Sequence, residues 1–142
     1  MTSMKTLAIA ANFTIDPVRS ALAKALPMLQ SRPEVLFTPY NQLFQQFIAA
    51  NSTFNANRDG VNALFLRVPD LVEHRSDDAL SDSEVARIAE TAAELSTAIR
   101  SYRGSAPLEI FITPYAASLP VEIAEELDRI ERSFTAEVGQ LA

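Results

Sequence analysis

The stretch that decides the fold is a polar turn that runs into a short apolar segment and then a second polar loop: Asn57-Arg58-Asp59-Gly60-Val61-Asn62-Ala63-Leu64-Phe65-Leu66-Arg67-Val68-Pro69-Asp70. A nearly continuous apolar run of this length between turn residues is typical of a β-strand that is buried on both faces, which indicates a parallel sheet covered by helices. Ligand-binding and catalytic residues in such sheets lie at the carboxyl ends of the strands. Arg67 and Asp70 therefore mark the place where a functional site is expected.

The composition is that of a globular domain. The chain has 142 residues, of which 48% are hydrophobic and 21% are charged. A nucleic-acid-binding protein needs clustered Lys and Arg, whereas here 12 scattered basic residues face 18 acidic ones and the net charge is −6. The absence of cysteine excludes disulfides, thiolate nucleophiles and Cys-bound zinc and fits a cytoplasmic location. No apolar run approaches the roughly 20 residues of a membrane span.

Four segments have the apolar character and the flanking turn residues of strands: 6–11, 34–38, 62–67 and 108–113. A helical pattern follows each of them. The first helix begins with Asp16 as its N-cap and Pro17 at its first position. The second follows Pro39 and has apolar residues at helical spacing: Tyr40, Leu43, Phe44, Phe47 and Ile48.

The third helix begins with a capping box at Ser81 and Glu84, and its apolar stripe runs from Val85 to Tyr102 before Gly104 ends it. The fourth extends from about Ile123 to Val138. Residues 51–60 are predicted to form a polar loop between the second helix and the third strand.

The alternation of strands and helices predicts one α/β domain over residues 1–142, with a three-layer, doubly wound parallel sheet of about four strands in the order 2-1-3-4. Such a sheet is flavodoxin-like or SGNH-like. A fold of this kind usually continues with a fifth strand, so the fourth strand would expose a long edge. Either a partner covers that edge, for example a second copy in a homodimer, or the chain is a fragment of a larger protein.

With this strand order, the loops after the first and third strands open a crevice. Residues at the ends of the first, third and fourth strands are expected to face it: Asn12, Phe13, Thr14, Asp16, Arg67, Asp70, His74, Thr113, Pro114, Tyr115 and Ser118. Structural roles compete with ligand binding for several of them. In the competing interpretation, Asp16 is a helix cap, Arg67 and Asp70 pair with each other at the rim of the crevice, and Tyr115 is a packing residue.

Catalytic chemistry has little support in the sequence. A Ser–His–Asp hydrolase needs a serine within reach of a histidine, but the first strand leads into Ala11-Asn12-Phe13-Thr14, with a hydroxyl and no glycine for a sharp nucleophile turn. His74 is the sole histidine, and we expect it to be solvated or structural. The three glycines do not form a phosphate-binding loop, and no carboxylate spacing favours a metal. No cofactor is predicted.

The second helix has an unusual polar side. Gln42, Gln45 and Gln46 lie next to Tyr40 and other aromatic residues. Uncharged polar side chains beside aromatic ones favour a surface that contacts another protein. The competing interpretation places the aromatic residues in the core and the glutamines in water.

Several motifs together resemble one family: Ala10-Ala11-Asn12-Phe13-Thr14 with Pro17, Phe37-Thr38-Pro39-Tyr40-Asn41-Gln42 with Phe44-Gln45-Gln46, Asn57-Arg58-Asp59-Gly60-Val61-Asn62, and Leu66-Arg67-Val68-Pro69-Asp70. It is the FkbH-like N-terminal region, SGNH-hydrolase-like in fold, which is found within or beside nonribosomal peptide synthetases and polyketide synthases. The resemblance spans residues 4–70 and returns weakly at residues 110–114.

The resemblance implies a module of an assembly line for a natural product such as an antibiotic. In FkbH proteins this region precedes a HAD-type domain that loads a glyceryl unit onto a carrier protein, and the present sequence lacks that domain's aspartate motif as well as hydrolase-like catalytic residues. The fold, the crevice around Asn12, Thr14, Arg67 and Asp70, and an association with carrier or condensation domains are expected to carry over. The activity is not.

The leading hypothesis is a non-catalytic accessory or interaction domain of a nonribosomal peptide or polyketide synthetase that contacts a carrier protein or neighbouring domain. The contact is expected through residues 51–60, the sheet edge, or a surface formed by Tyr40, Gln42, Gln45, Gln46 and Arg58. The rival is a divergent SGNH-like enzyme that uses Thr14, Asn12 and Asp70 on a thioester or ester. A flavodoxin-type sensor is a third alternative, without a phosphate-binding loop to support it.

Overall fold

The computed structural model describes residues 6–13, 16–25, 33–39, 42–73, 79–113 and 119–139. The strands are β1 (Thr6–Ala11), β2 (Glu34–Phe37), β3 (Val61–Leu66) and β4 (Leu108–Ile112). The helices are α1 (Asp16–Ala25), α2 (Gln45–Ile48), α3 (Thr53–Ala56), α4 (Asp82–Arg100) and α5 (Val121–Gly139), and a 3-10 turn covers Val68–Leu71.

The chain divides into two compact units. The sheet unit comprises Met1–Leu66 and Tyr102–Phe111, and the helical unit comprises Arg67–Ser101 and Ile112–Ala142. That the whole chain behaves as one domain stays a prediction.

The four strands form one parallel sheet in the order β2-β1-β3-β4. β1 pairs with β2 from Thr6↔Glu34 to Ile9↔Phe37, and it pairs with β3 from Leu7↔Val61 to Ala11↔Phe65. On the other side of β3, the amide of Asn62 donates to the carbonyl of Pro107, 2.9 Å away, at the start of β4. The predicted fold class and strand order are confirmed. The strands are parallel because each helical segment between two strands returns the chain, so that the next strand begins in the same direction.

The register divides the sheet residues between two faces, since side chains alternate along a strand. The face that contains Leu64 is deeply buried: Ala8, Ala10, Asn62, Leu64 and Leu66 are at most 1% exposed. On the other face, Ile9 and Ala63 are buried, while the ring of Phe65 stacks on that of Phe111 at 4.9 Å. Phe111 remains 48% exposed.

The helical unit contains α4 and α5, which have a common apolar core. Its buried side chains are Val85, Ile88, Leu95 and Ile99 from α4 and Leu127, Ile130 and Phe134 from α5. The predicted capping box is present: Ser81 Oγ accepts from the amide of Glu84 (3.3 Å), and Glu84 Oε1 accepts from the amide of Ser81 (3.1 Å). Arg100 and Glu137 form an ion pair at 3.4 Å near the carboxyl ends of the two helices.

Three predicted elements are wrong in detail. Of the amphipathic helix expected from Tyr40 to Ile48, the described part is only the single turn of α2, and the polar loop expected over residues 51–60 contains α3. A local cap explains α3, because Ser52 Oγ accepts from the amide of Asn55 at 3.1 Å. α4 ends at Arg100, so neither Tyr102 nor Gly104 belongs to its stripe or its terminus.

Candidate functional site

A network of buried polar side chains lies where β3 begins, within the sheet unit. Asn62 is completely buried. Its Nδ2 donates to the carbonyl of Phe54 (2.9 Å) and to the hydroxyl of Tyr102 (2.7 Å), and its Oδ1 accepts from Asn57 Nδ2 (2.9 Å). The side-chain amide therefore has a partner on both sides, as buried polar groups require.

Tyr102 completes this network. Its hydroxyl donates to the carbonyl of Ala106 at 2.6 Å. Burial raises the pKa of Tyr102, and the hydrogen bond that Asn62 donates to the hydroxyl only partly offsets this effect. The phenol is consequently a neutral hydrogen-bond donor at physiological pH, which suits a structural tie better than an acid–base group.

The turn before β3 is fixed by two further contacts. Asn57 Nδ2 lies 3.3 Å from the carbonyl of Val61 and 3.4 Å from that of Thr6. A Cβ atom at Gly60 would overlap the backbone of Thr6, so only glycine fits there. Asn57, Gly60 and Asn62 therefore have structural roles, and within residues 57–62 only Arg58 and Asp59 are exposed.

The placement of Gln46 on the predicted interaction surface is wrong, because this side chain is 1% exposed. Gln46 Oε1 accepts from the amide of Phe54 and Nε2 donates to the carbonyl of Gln42, both at 3.2 Å. One-turn helices leave backbone groups without helical partners. The side chain of Gln46 is the hydrogen-bond partner of the two backbone groups just named. The ring of Phe47 meets that of Phe54 edge-to-face at 5.6 Å beside this amide.

Other residues of the same segment do point outward. Gln42, Gln45 and Arg58 are exposed, and Ile48 is 60% exposed. These four side chains are called the α2–α3 surface below. Tyr40, which was also predicted to contribute, lies outside the described residues.

The residues of the predicted crevice are described only in part. Asn12 directly follows β1 and Arg67 directly follows β3. Arg67 Nη1 lies 2.8 Å from Asp70 Oδ1, with both side chains about three-quarters buried, so the predicted ion pair is present. Thr14, His74, Pro114, Tyr115 and Ser118 lie outside the described residues. The crevice itself stays a prediction.

The prediction that Asp16 is the N-cap of α1 is wrong by one position, because Asp16 is the first helical residue and Pro17 is the second. The carboxylate of Asp16 is exposed and lies 3.7 Å from the guanidinium of Arg19, which also covers the ring of Phe37 at 3.9 Å. An acidic residue in the first turn stabilises a helix through the helix dipole. Asp16 therefore has a sufficient structural role without a ligand.

Two further classes of site can be tested over the described ranges. No group of three or more His, Asp or Glu side chains there is arranged to hold a metal ion. Within the same ranges, every helix is too short or too polar to cross a membrane.

Comparisons of the chain with known protein families, with curated protein sequences and with solved structures find no significant match. The resemblance to the FkbH-like region therefore depends on the sequence motifs, which lie between residues 4 and 70 and more weakly at residues 110–114.

Sequence reasoning missed two features that the structure brings together. The first is the contact between Asn62 and Tyr102, and the signal was available: an asparagine inside an apolar strand must find partners when the strand is buried. The second is the stacked pair of Phe65 and Phe111, which requires the pairing of β3 with β4 and cannot be read from spacing along the chain.

Proposed function

We propose that this chain is a non-catalytic interaction domain of a nonribosomal peptide or hybrid polyketide synthetase, and that its α2–α3 surface contacts a carrier protein or an adjoining domain. The motif resemblance supports the synthetase context. The proposed contact through the α2–α3 surface is supported by one observation. In residues 42–62 the inward polar groups are satisfied within the fold, whereas the exposed side chains include an isoleucine and two uncharged glutamines, together with the adjacent charges of Arg58 and Asp59.

This combination suits a protein interface. Removing an isoleucine side chain from water contributes roughly 1.5–3 kcal/mol, and Ile48 is 60% exposed. Gln42 and Gln45 can exchange water for a partner's hydrogen bonds without the desolvation cost of a charge. Interface cores are likewise depleted of charged residues.

The negative net charges of this chain and of carrier proteins disfavour an extensive electrostatic contact between them. Carrier proteins are usually acidic and this chain has a net charge of −6, which argues against broad electrostatic attraction between them. The contact must be local. Arg58 is the cation of the α2–α3 surface, and screening limits its influence to about 8 Å at physiological ionic strength.

The geometry around Asp70 supports the non-catalytic half of the proposal. A general base must reach the proton that it abstracts, whereas Asp70 lies 2.8 Å from Arg67 within a single 3-10 turn. This ion pair therefore has a structural role in the turn that follows β3. The proposal locates the chain in the cytoplasm, which agrees with its lack of cysteine.

The test is a binding titration of the full chain against separately expressed carrier, condensation and other adjoining synthetase domains. Changing Gln45 and Ile48 together to glutamate should weaken the contact at least tenfold, because both would face an acidic partner. The matched control is Val121→Glu with Thr135→Glu, which adds the same two charges, since Val121 is 71% exposed, Thr135 is exposed and both lie outside this surface. It should change affinity less than twofold.

No binding to any adjoining domain, or equal weakening by the control, would contradict the proposal. Product formation by the synthetase provides an independent check. Asp70→Asn should leave turnover unchanged, whereas the rival acyl-handling enzyme predicts that turnover is lost.

A further inference from the structure

A groove runs along the helical unit between α4 and α5. It consists of two adjoining depressions of about 360 and 230 Å³, and both include Ala89 and Glu126. The first also contains Asp82 and Glu122 from the first turns of the helices, and the second contains Glu137 near the end of α5. α4 and α5 are therefore parallel, and the groove follows them from their first turns toward their last.

The floor of the groove is largely apolar. Ala86, Ala89 and Ala93 are exposed on its α4 side, above the buried side chains of Ile130 and Phe134. Small residues along one helix allow another helix to approach closely, at the 8–10 Å axis separation of packed helices. The α4 residues of the groove extend from Asp82 to Ser96, which corresponds to about 21 Å of helix.

The walls of the groove are acidic. Asp82, Glu122, Glu126 and Glu137 line it, and two of them already have a cation: Glu126 lies 2.8 Å from Arg129 and Glu137 lies 3.4 Å from Arg100. The helices as a whole show the same imbalance. α4 has four acidic and two basic residues and α5 has six and two, so the pair accounts for the entire net charge of −6.

We infer that this groove binds a basic amphipathic helix of another protein, about four turns long, with its apolar side on the alanine stripe and its Lys and Arg side chains on the acidic walls. The acidic walls favour a basic helix over a second copy of this chain. A second copy of this chain would bring a helix pair with a charge of −6 against another of −6, which like-charge repulsion disfavours. The inference does not depend on the proposed function, because it uses neither the α2–α3 surface nor the motif resemblance.

The probe is a synthetic peptide of about 16 residues, with leucine on one helical face and lysine on the other, titrated against the full chain by fluorescence anisotropy. Two comparison peptides separate shape from charge. One has glutamate in place of lysine, and the other has the same composition in a scrambled order without an amphipathic face. Amide NMR spectra of the isotope-labelled chain identify the surface that the Leu/Lys peptide contacts.

The variants are matched in charge and in size. Glu122→Gln with Glu126→Gln removes two wall carboxylates, whereas Glu90→Gln with Glu125→Gln removes two carboxylates of α4 and α5 that do not line the groove. Ala89→Gln fills the floor, and Ala136→Gln makes the same change at an exposed position of α5 outside the groove.

The expected result is that the Leu/Lys peptide shifts the amide signals of Ala86, Ala89 and Ala93 and that the wall variant binds it three- to tenfold more weakly. The control pair should change affinity less than twofold, and Ala89→Gln should weaken binding more than Ala136→Gln does. Equal binding of the scrambled or Leu/Glu peptide, equal weakening by the control pair, or signal shifts elsewhere would overturn the inference. So would a dimer in sedimentation experiments that Ala89→Gln dissociates.

Discussion

Truncation of Asn62 should be the most destabilising single change in the polar network. Asn62→Ala removes three hydrogen bonds and leaves the carbonyl of Phe54 without this side-chain donor, while Asn57 Nδ2 retains only its contacts at 3.3 and 3.4 Å. Each buried polar group left without a partner costs about 1–3 kcal/mol, so the free energy of unfolding should fall by about 3 kcal/mol. That is a large fraction of the 5–15 kcal/mol typical of a domain. Urea denaturation followed by circular dichroism measures it.

A double-mutant cycle makes this prediction sharper. Tyr102→Phe removes the hydroxyl that accepts from Asn62 and donates to Ala106, and it should cost about 1.5 kcal/mol. Combined with Asn62→Ala, the total should be about 0.5–1 kcal/mol less than the sum, because both changes remove the same bond. The exposed Asn51 provides the control, and Asn51→Ala should stay within about 0.5 kcal/mol of the parent. A loss below 1 kcal/mol for Asn62→Ala, or strict additivity, would contradict the stabilising role of the Asn62–Tyr102 hydrogen bond.

The remaining predictions concern single features of the fold. Gly60→Ala should destabilise the chain by about 2 kcal/mol or more in the same denaturation assay, since the new methyl group meets the backbone of Thr6; a neutral effect would contradict this geometry. Ser81→Ala should cost about 1 kcal/mol by removing the cap on the amide of Glu84, and an unchanged unfolding midpoint would show that the box is dispensable. Because burial raises the pKa of Tyr102 above 10.0, its contribution to the unfolding free energy should be constant below pH 10 and fall as the pH rises further; Tyr102→Phe should lose this dependence, and identical pH profiles would contradict it.

The sheet could be predicted from the sequence because its strands are short apolar runs between turn residues, as in 61–66, and because helical segments between them imply parallel pairing. The start of α4 was equally accessible, since the capping box is a local signal at Ser81 and Glu84. In both cases the deciding interactions lie within a few residues or follow from chain direction.

Residues that serve distant backbone groups could not be assigned from spacing. Gln46 has the position of an outward residue on a regular helix, but its amide bonds to Phe54, eight residues away, after the helix has ended. Tyr102 continues the apolar spacing of α4, yet it lies beyond the helix end and bonds to Asn62, 40 residues away. Periodicity records which side of an element is apolar, and it contains no information on which carbonyl or amide still needs a partner.

We propose that this chain acts through the surface of residues 42–58 rather than through its strand ends. The most direct measurement is amide hydrogen exchange of the full chain, alone and with each adjoining carrier or condensation domain. We expect slower exchange in residues 42–58 when the correct domain is bound, with no change around Asn12 or from Arg67 to Asp70. Protection confined to those strand ends, with residues 42–58 unaffected, would contradict it.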